Sequence, residues 1–538
     1  MDDASFNALV QRLERQAATR PHVYRRRLIA LALLGYGYVL TVLVGLVALT
    51  GILVLDARIV VLQVALPLLI VIVAMLRALW VRMQPPQGVV LRETDVPSLF
   101  ELVRRVGRRL EAPRVHVILA VPDVNAGVVQ VPRLGVFGGY RNYLVVGLPL
   151  MQALSADEWQ AVVAHELGHL SGRHGWFGAW IYRIRATWGR LLATIEKSRS
   201  RLGQFLFAGF IKWYAPCFNA YSFVLARAHE YEADLAAAEL VGSETARRTL
   251  LRIEIATRRA ARFWGGVHPA VLRTPEPPQD AYRQLRLALR AGGADSELAT
   301  WVSEAWARPT SNGNTHPALA DRLKALGWRS ADGSPPAPPE PLTEPSAASV
   351  YLGPQENQVE LEFDQSWARR FAGSWKERHA QVVAARERLA ELDSRSAGSL
   401  TAEEEMDRIN ASGTMGEFDR LRALAEALLL RLPEHPGAHF QVGQYLVRHG
   451  DARGVEHIEQ AMRRDPAAIL PGCRILFDFF RSRGEMENAQ RCLDRGRQRD
   501  GLLRQARAGR SSLARDIELR PHEWSDEQVT ALRDQLRQ

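Results

Sequence analysis

Cysteine is scarce in this sequence. Only three cysteines occur among 538 residues, namely Cys217, Cys473 and Cys492, and no two of them form a CxxC pair. This scarcity excludes a disulfide framework and a zinc site built from cysteines, and it is typical of a reducing compartment. Metal or catalytic chemistry in this chain must therefore be sought among other side chains.

The sequence also lacks a nucleic-acid-binding motif. A net charge of +10 and a pI near 9.8 would suit a nucleic-acid partner, but the arginines are spread along the whole chain. A basic surface beside an anionic membrane explains the excess more simply. We therefore expect a lipid bilayer as a partner, and no nucleic acid.

Two stretches lack charge altogether and predict a transmembrane hairpin. Residues 28–55 contain no charged side chain, and a helix of ~20 residues already crosses a hydrocarbon core of ~30 Å. A short turn, 56–58, separates this first stretch from the second uncharged stretch, 59–76. Arginines flank both outer ends of the hairpin, at Arg25, Arg26, Arg27, Arg77, Arg82 and Arg92. The positive-inside rule then predicts a multi-pass protein of the inner (plasma) membrane, with both termini and the following domain in the cytoplasm.

A further apolar stretch, 202–225, contains Pro216 and several polar residues. We expect it to be buried or to skim the membrane rather than to cross it.

One short segment carries a metal-binding pattern. Residues 159–174 read WQAVVAHELGHLSGRH and contain His165-Glu166-x-x-His169. Positions i and i+4 of a helix share a face, so both imidazoles can bind one metal ion. Glu166 can then act as a general base toward a water held by that metal. A buried helix with two unrelated histidines is the simpler alternative.

A catalytic zinc site needs a third protein ligand. The spacing HExxHxxGxxH is absent because Gly175 replaces the last histidine, and His174 is the other nearby imidazole. Glu230 is the better candidate, because Glu230 and Asp234 share a helix face. Glu230 can bind the metal while Asp234 accepts a hydrogen bond from a ligand histidine. Glu232 faces away from that side; a solvated acidic face is the alternative, which the surrounding apolar residues disfavour.

These motifs together resemble one known family. HELGH, Arg227-x-x-Glu230-Tyr-Glu-Ala-Asp234, Thr315-His316-Pro317 and the upstream Asn125-Ala126 are similar to the gluzincin family of HtpX and the type I CAAX prenyl proteases. The resemblance covers roughly residues 90–327. This sequence departs from HtpX in having two clear spans instead of four and a further region after the protease.

The resemblance implies one Zn²⁺ per chain and a set of site residues. The implied zinc ligands are His165, His169 and Glu230, with Glu166 as the catalytic base and Asp234 and Arg227 behind them. His316 would come near the active site as an oxyanion donor or a regulatory plug, although a helix-capping turn would also explain His316-Pro317. Asn125 and Ala126 would begin a strand that binds the substrate, and His174 would pack structurally.

The remaining patterns predict a mainly α protein with an α+β zincin-type domain. Helical spacing predicts a helix over 96–110, and apolar runs predict strands over 115–121, 127–131 and 143–146. Ser155 and Glu158 form a capping box that starts the HELGH helix. Further along, 359–363 alternates like a short strand, and 375–392 is predicted to be a charged helix.

A repeat is visible near the C-terminus. Gly416, Gly450 and Gly484 are 34 residues apart, and each is followed by an acidic residue. This period resembles the tetratricopeptide repeat, which implies stacked helical pairs that bind partner proteins. A generic helical bundle is the alternative.

The chain thus divides into six predicted segments. They are a cytoplasmic N-terminal segment (1–27), a transmembrane hairpin (28–83), a zinc metallopeptidase domain (84–330), a proline-rich linker (331–347), a connecting strand and helix (348–399), and tetratricopeptide-like repeats (400–538).

The sequence therefore favours a membrane-anchored zinc endopeptidase that cleaves misfolded or membrane proteins in protein quality control. The alternative is a membrane-tethered scaffold with a vestigial metal site, whose repeats bind partner proteins. CAAX-type prenyl processing is disfavoured, since its chamber of many spans cannot be built from two.

Overall fold

The computed structural model describes residues 3–55, 69, 72, 84–132, 139–171, 181, 201–291, 295–311, 316–396 and 398–511. The chain forms two compact units. The N-terminal unit comprises Met1–Ala270 and Glu276–Gly373, and the C-terminal unit comprises Val271–Pro275 and Ser374–Gln538.

Helices dominate the described residues. The elements up to the metal-binding motif are α1 (Asp3–Thr19), α2 (Pro21–Leu55), β1 (Val89–Leu91), α3 (Pro97–Arg109), β2 (Val117–Val121), β3 (Ala126–Pro132), β4 (Tyr140–Gly147), α4 (Leu148–Ala153) and α5 (Ala156–Gly168). They are followed by α6 (Arg201–Val241), α7 (Ser243–Val267), α8 (Ala281–Arg290), α9 (Asp295–Ala307), α10 (Leu319–Ala325), α11 (Ala347–Leu352) and α12 (Gln355–Asp393). The last six are α13 (Ala402–Thr414), α14 (Phe418–Arg431), α15 (Pro436–Arg448), α16 (Arg453–Arg464), α17 (Ile469–Ser482) and α18 (Met486–Ser511).

The four strands form one small mixed sheet in the order β1-β2-β4-β3. β2 and β4 run parallel, and β3 pairs antiparallel with β4. The predicted helix over 96–110 and the three predicted strands are confirmed, with small shifts at their ends. β3 lies at one edge of the sheet, where its outer side can pair with another chain.

Gly147 closes the sheet where β4 ends. A Cβ atom at this position would lie 2.1 Å from the Asp123 carbonyl oxygen and 2.3 Å from that of Asn125. Only glycine permits this approach, and the Gly147 amide donates to the Asn125 carbonyl at 2.8 Å. The contact fixes Asn125 at the start of β3.

The predicted capping box begins α5. The Ser155 hydroxyl accepts from the Glu158 amide at 3.3 Å, and the Glu158 carboxylate accepts from the Ser155 amide at 3.0 Å. Glu158 is fully buried, and Arg248 and Arg252 of α7 pair with it at 3.0 and 2.8 Å. A buried carboxylate that lost these partners would be strongly destabilising, so the ion pairs hold α5 against α7.

The long helix α6 connects the N-terminal helices with the metal-binding motif. Its first half packs along α2, where Tyr38 stacks on Phe210 with ring centroids 3.9 Å apart and Tyr24 stacks on Tyr221 at 5.6 Å. Its second half crosses α5 closely, since a Cβ on Gly168 would lie 3.3 Å from Ala233 Cα. The stretch 202–225 is therefore part of one helix that contains Pro216.

One helix among the described residues is long and apolar enough to cross a membrane. It spans Pro21–Ile52 and has a mean hydropathy of 2.2. The second uncharged run, 59–76, lies outside the described residues apart from Leu69 and Ile72. The hairpin therefore stays a prediction.

The predicted strand over 359–363 is wrong, because these residues lie inside α12. Val359 and Phe363 are buried on one helix face, whereas Leu361 between them is 55% exposed. Alternation over five residues fits either structure, and the packing of a long helix decides between them. The predicted helix over 375–392 belongs to the same element.

The C-terminal unit contains the helices from α13 onward. Gly416, Gly450 and Gly484 adopt positive φ angles of 78°, 77° and 75°, each in a turn between two helices. Residues other than glycine are strained in this left-handed conformation. The turn that follows each helix therefore favours glycine, which explains why glycine recurs every 34 residues. Assignment to the tetratricopeptide family stays a prediction.

Candidate metal centre

Three potential metal ligands meet between α5 and α6. Nε2 of His165 and Nε2 of His169 are 3.2 Å apart, and each lies 3.7 Å from a Glu230 carboxylate oxygen. If one ligand atom is taken from each residue, the three atoms all lie within 4.8 Å of one another. Zn–N bonds of 2.0–2.1 Å at tetrahedral angles would place two nitrogens about 3.3 Å apart. The donor types and their spacing therefore fit one zinc ion.

Asp234 orients the first histidine. Nδ1 of His165 lies 3.0 Å from Asp234 Oδ1, so the carboxylate favours the tautomer in which Nδ1 carries the proton and Nε2 is free to bind metal. Arg322 of α10 holds the same carboxylate with two hydrogen bonds, from Nε at 2.7 Å and from an Nη at 2.6 Å. Such a bidentate pair fixes both position and charge.

The local electrostatics keep these groups in the forms that bind metal. Burial, followed by the nearby His165, lowers the pKa of His169 to about 4, so its imidazole is neutral. Burial alone would raise the pKa of Glu230, but the hydrogen bond from His316 and the neighbouring imidazoles bring it below its usual value. For Asp234, burial is likewise outweighed by Arg322 and His165, which lower the pKa to about 2.

Glu166 adjoins this cluster from the same helix and lines the same cleft. Burial raises the pKa of its carboxyl, while His165 opposes the rise and Glu230 adds to it. A carboxylate with a raised pKa is a better proton acceptor near neutral pH, which suits a general base.

His316 lies on the far side of Glu230. Its Nδ1 is 2.7 Å from Glu230 Oε2, and this hydrogen bond raises the pKa of the imidazole. The side chain is 57% exposed and lines the cleft described below. Thr315, its predicted neighbour in the motif, lies outside the described residues.

The cleft over the cluster has a volume of about 560 Å³. One wall is the start of β3, from Asn125 to Val128, and the cluster forms the floor. Several apolar residues also line the cleft, namely Ala237, Ala246, Leu250, Ile253 and Leu326. Such a cleft can receive an extended chain beside an edge strand and an apolar side chain beyond the cluster.

The other predicted residues lie as follows. Asn125 and Ala126 line the cleft, Glu232 is exposed, and His174 lies outside the described residues. Arg227 is buried on α6 one turn before Glu230 and contacts Glu14 and the Ser311 carbonyl.

Arg322 is the main contributor that sequence reasoning missed. It lies in the helix that follows His316-Pro317, and nothing in the local sequence indicates that this arginine pairs with Asp234. Only the packing of α10 against α6 brings its guanidinium to Asp234.

Comparison with known families agrees with this geometry. Residues 95–330 match the family model described as peptidase family M48, and the matched range contains the three potential ligands, Glu166 and Arg322. The match supports a metallopeptidase, for which zinc is the expected metal. No curated protein matches the chain.

Proposed function

We propose that this protein is a membrane-anchored, zinc-dependent endopeptidase. The observation that carries the proposal is the convergence of His165, His169 and Glu230, with Glu166 beside them, within a region that matches a peptidase family. His165, His169 and Glu230 would hold the metal, and Asp234 and Arg322 would orient His165 behind it.

A zinc ion at this site would polarise the scissile carbonyl and activate a water for attack. Glu166 accepts the proton of the attacking water and then delivers it to the leaving amine. Its raised pKa suits both steps, because the group must first gain and then release a proton. His316 lines the cleft beside Glu230, and its imidazole can donate a hydrogen bond to the oxygen that develops negative charge.

The substrate is an extended polypeptide. Among the described residues no strand pairs with the outer side of β3, so a segment that has no stable structure of its own could pair there through main-chain hydrogen bonds. Main-chain pairing gives broad specificity, which suits misfolded proteins, including membrane proteins in quality control.

The proposed location is the inner membrane. Pro21–Ile52 supports one span, and we propose 28–83 as a hairpin with both termini and the 84–330 peptidase domain in the cytoplasm. Reporter fusions after Arg92 and at the C-terminus test this topology, and an external signal from either fusion contradicts it.

We further propose that residues 400–538, beyond the linker 331–347 and the connecting segment 348–399, form repeats that recruit partner proteins. A groove of about 540 Å³ in the C-terminal unit supports this role. Phe418, which is 47% exposed, and Arg448 line the groove, and the Arg448 guanidinium lies 5.8 Å from the Phe418 ring centroid.

The decisive experiment compares wild type with Glu166→Gln. We expect both proteins to contain about one zinc per chain, and we expect the variant to lose at least 100-fold in cleavage of casein or an unstructured peptide. Glu232→Gln, an exposed change on α6, is the control and should cleave normally. If Glu166→Gln retains full activity, or if wild type binds zinc but never cleaves, the membrane-tethered scaffold becomes the better interpretation.

A further inference from the structure

The N-terminal helix α1 reaches the metal-binding half of α6. Val10 and Leu13 are buried, and Phe6 packs edge-on against Phe223 of α6 with ring centroids 6.5 Å apart. These apolar contacts turn Glu14 toward Arg227. Helix α1 immediately precedes the apolar helix α2, so the chain runs directly from this contact into the proposed membrane anchor.

Arg227 joins three parts of the N-terminal unit. One Nη hydrogen bonds the Glu14 carboxylate, and the other donates to the Ser311 carbonyl at 2.9 Å. The guanidinium also lies 4.6 Å from the Phe223 ring centroid. Its side chain is only 8% exposed, so a partner that neutralises its charge matters more here than at the surface.

Ser311 lies in the connection between α9 and α10, of which the structure describes residues 308–311 and 316–318. A second anchor on this connection is Thr310, whose hydroxyl donates to Asp321 at 2.7 Å and accepts from the Ala318 amide at 2.6 Å. Thr310 ties the connection to α10, whereas Arg227 ties it to α6, the helix that supplies Glu230. Ala318, whose amide Thr310 holds, lies two residues after His316, and Nδ1 of His316 is 2.7 Å from Glu230 Oε2.

From these contacts we infer that Glu14 is a positioning residue for the proposed active site. It neutralises and orients Arg227, Arg227 holds the Ser311 carbonyl, and the hydrogen bond between the neighbouring Thr310 and Ala318 carries this constraint to His316 beside Glu230. Glu14 itself does not line the cleft, so its effect is transmitted through Arg227. The inference rests on the proposed function only where activity is the readout.

The kinetic test uses full-length protein in detergent, with Glu14→Ala, Glu14→Asp and the control Arg12→Ala, an exposed residue of the same helix. We expect Glu14→Ala to lower kcat for an unstructured peptide about 10-fold with little change in KM. A small displacement of a group at the reacting centre lowers the rate of the chemical step more than it weakens substrate binding. Glu14→Asp should recover most of kcat, and Arg12→Ala should match wild type. An unchanged kcat in Glu14→Ala, or an equal loss in Arg12→Ala, overturns the inference.

A double-mutant cycle separates positioning from general destabilisation. In a protein that already carries His316→Ala, adding Glu14→Ala should lower kcat by less than about twofold, since the group that Glu14 positions is gone. If the two losses multiply, Glu14 acts independently of His316 and the inference is wrong.

Hydrogen–deuterium exchange provides a readout that needs no activity. Glu14→Ala should speed exchange at the Ala318 amide and its neighbours in the α9–α10 connection, while exchange in α5 and zinc content stay as in wild type. Arg12→Ala should leave this pattern unchanged. Unchanged exchange at the connection in Glu14→Ala contradicts the inference even if the protein shows no peptidase activity, whereas absent wild-type activity alone contradicts only the proposed function.

Discussion

Glu230 is the residue on which the contacts of the site converge. Its two carboxylate oxygens lie 3.7 Å from His165 and His169, and one of them also accepts from His316 at 2.7 Å. Although this carboxyl is buried, the hydrogen bond from His316 and the neighbouring imidazoles lower its pKa, so it stays ionised at neutral pH. An anionic ligand beside two imidazoles suits a divalent cation.

We predict that Glu230→Ala lowers zinc content to well below half of one ion per chain after dialysis, because two imidazoles alone hold zinc weakly. Glu232→Ala should keep a full zinc complement, since that residue is exposed two positions further along α6. Metal analysis of the two purified proteins is the measurement. A reversed result would assign the third ligand to Glu232.

At the scale of elements, α12 contains an unusual row of buried acids. Glu356, Glu360 and Asp364 lie one turn apart and are all at least 94% buried, with exposed fractions of 6%, 5% and 4%. Gln152 donates to the first two at 3.1 and 3.0 Å, and Arg286 pairs with Glu360 at 2.9 Å. Asp364 accepts from the Tyr282 amide at 2.6 Å. Polar partners thus make this burial possible.

The stability of this packing should depend on pH. Burial raises the pKa of Asp364 from 3.8 to about 6, although the Tyr282 amide opposes the rise. A raised carboxyl pKa contributes stability that is fully present below the unfolded value of 3.8 and is lost as the pH rises through about 6. At pH 7.5 the ionised group is therefore a cost to folding.

We predict that Asp364→Asn raises Tm at pH 7.5 by about 2–4 °C, because the amide oxygen can still accept from Tyr282 without a buried charge. At pH 4 the two proteins should unfold within about 1 °C of each other. Thermal unfolding at both pH values is the measurement, and Glu239→Gln, an exposed change in the same unit, is the control. A destabilised variant at pH 7.5 would show that the charge itself is needed.

At the scale of the molecule, every proposed ligand lies in the N-terminal unit. Helices α13 to α18 contribute none of them, and the groove with Phe418 and Arg448 lies among the C-terminal elements. Catalysis and recruitment are thus proposed to be separable functions of one chain.

Deletion of Thr401–Gln538 tests this separation. The cut follows Ser399 and Leu400 in a stretch outside the helices, and it leaves every residue of the N-terminal unit in place. We predict that zinc content and cleavage of an unstructured peptide stay within about twofold of wild type, whereas turnover of the native target falls about 10-fold, an effect of lost local concentration. The paired substitution Phe418→Ala with Arg448→Ala should reproduce the second loss alone. Loss of zinc in the truncated protein would make the region part of the catalytic fold.

Local signals in the sequence were sufficient for the centre of the site. The spacing of His165 and His169 and the capping box at Ser155 act within one helix, so neighbouring residues alone determine them. Strands β2, β3 and β4 were predicted for the same reason, because short apolar runs between turn residues are local patterns. The proposed third ligand, Glu230, lies on a second helix, and it was predicted because Glu230 and Asp234 repeat with helical spacing and match a known motif.

Only the tertiary structure decided which distant residues meet. The pairing of Arg322 with Asp234 and of Arg227 with Glu14 joins helices far apart in the chain. No local sequence pattern indicates which of the many carboxylates a given arginine will pair with. The helical state of 359–363 was decided in the same way, since Val359 and Phe363 bury together only when α12 packs as a helix. Sequence by itself thus predicted the residues proposed to carry the chemistry of the site, whereas long-range packing determined its supporting contacts, because those depend on the relative positions of whole helices.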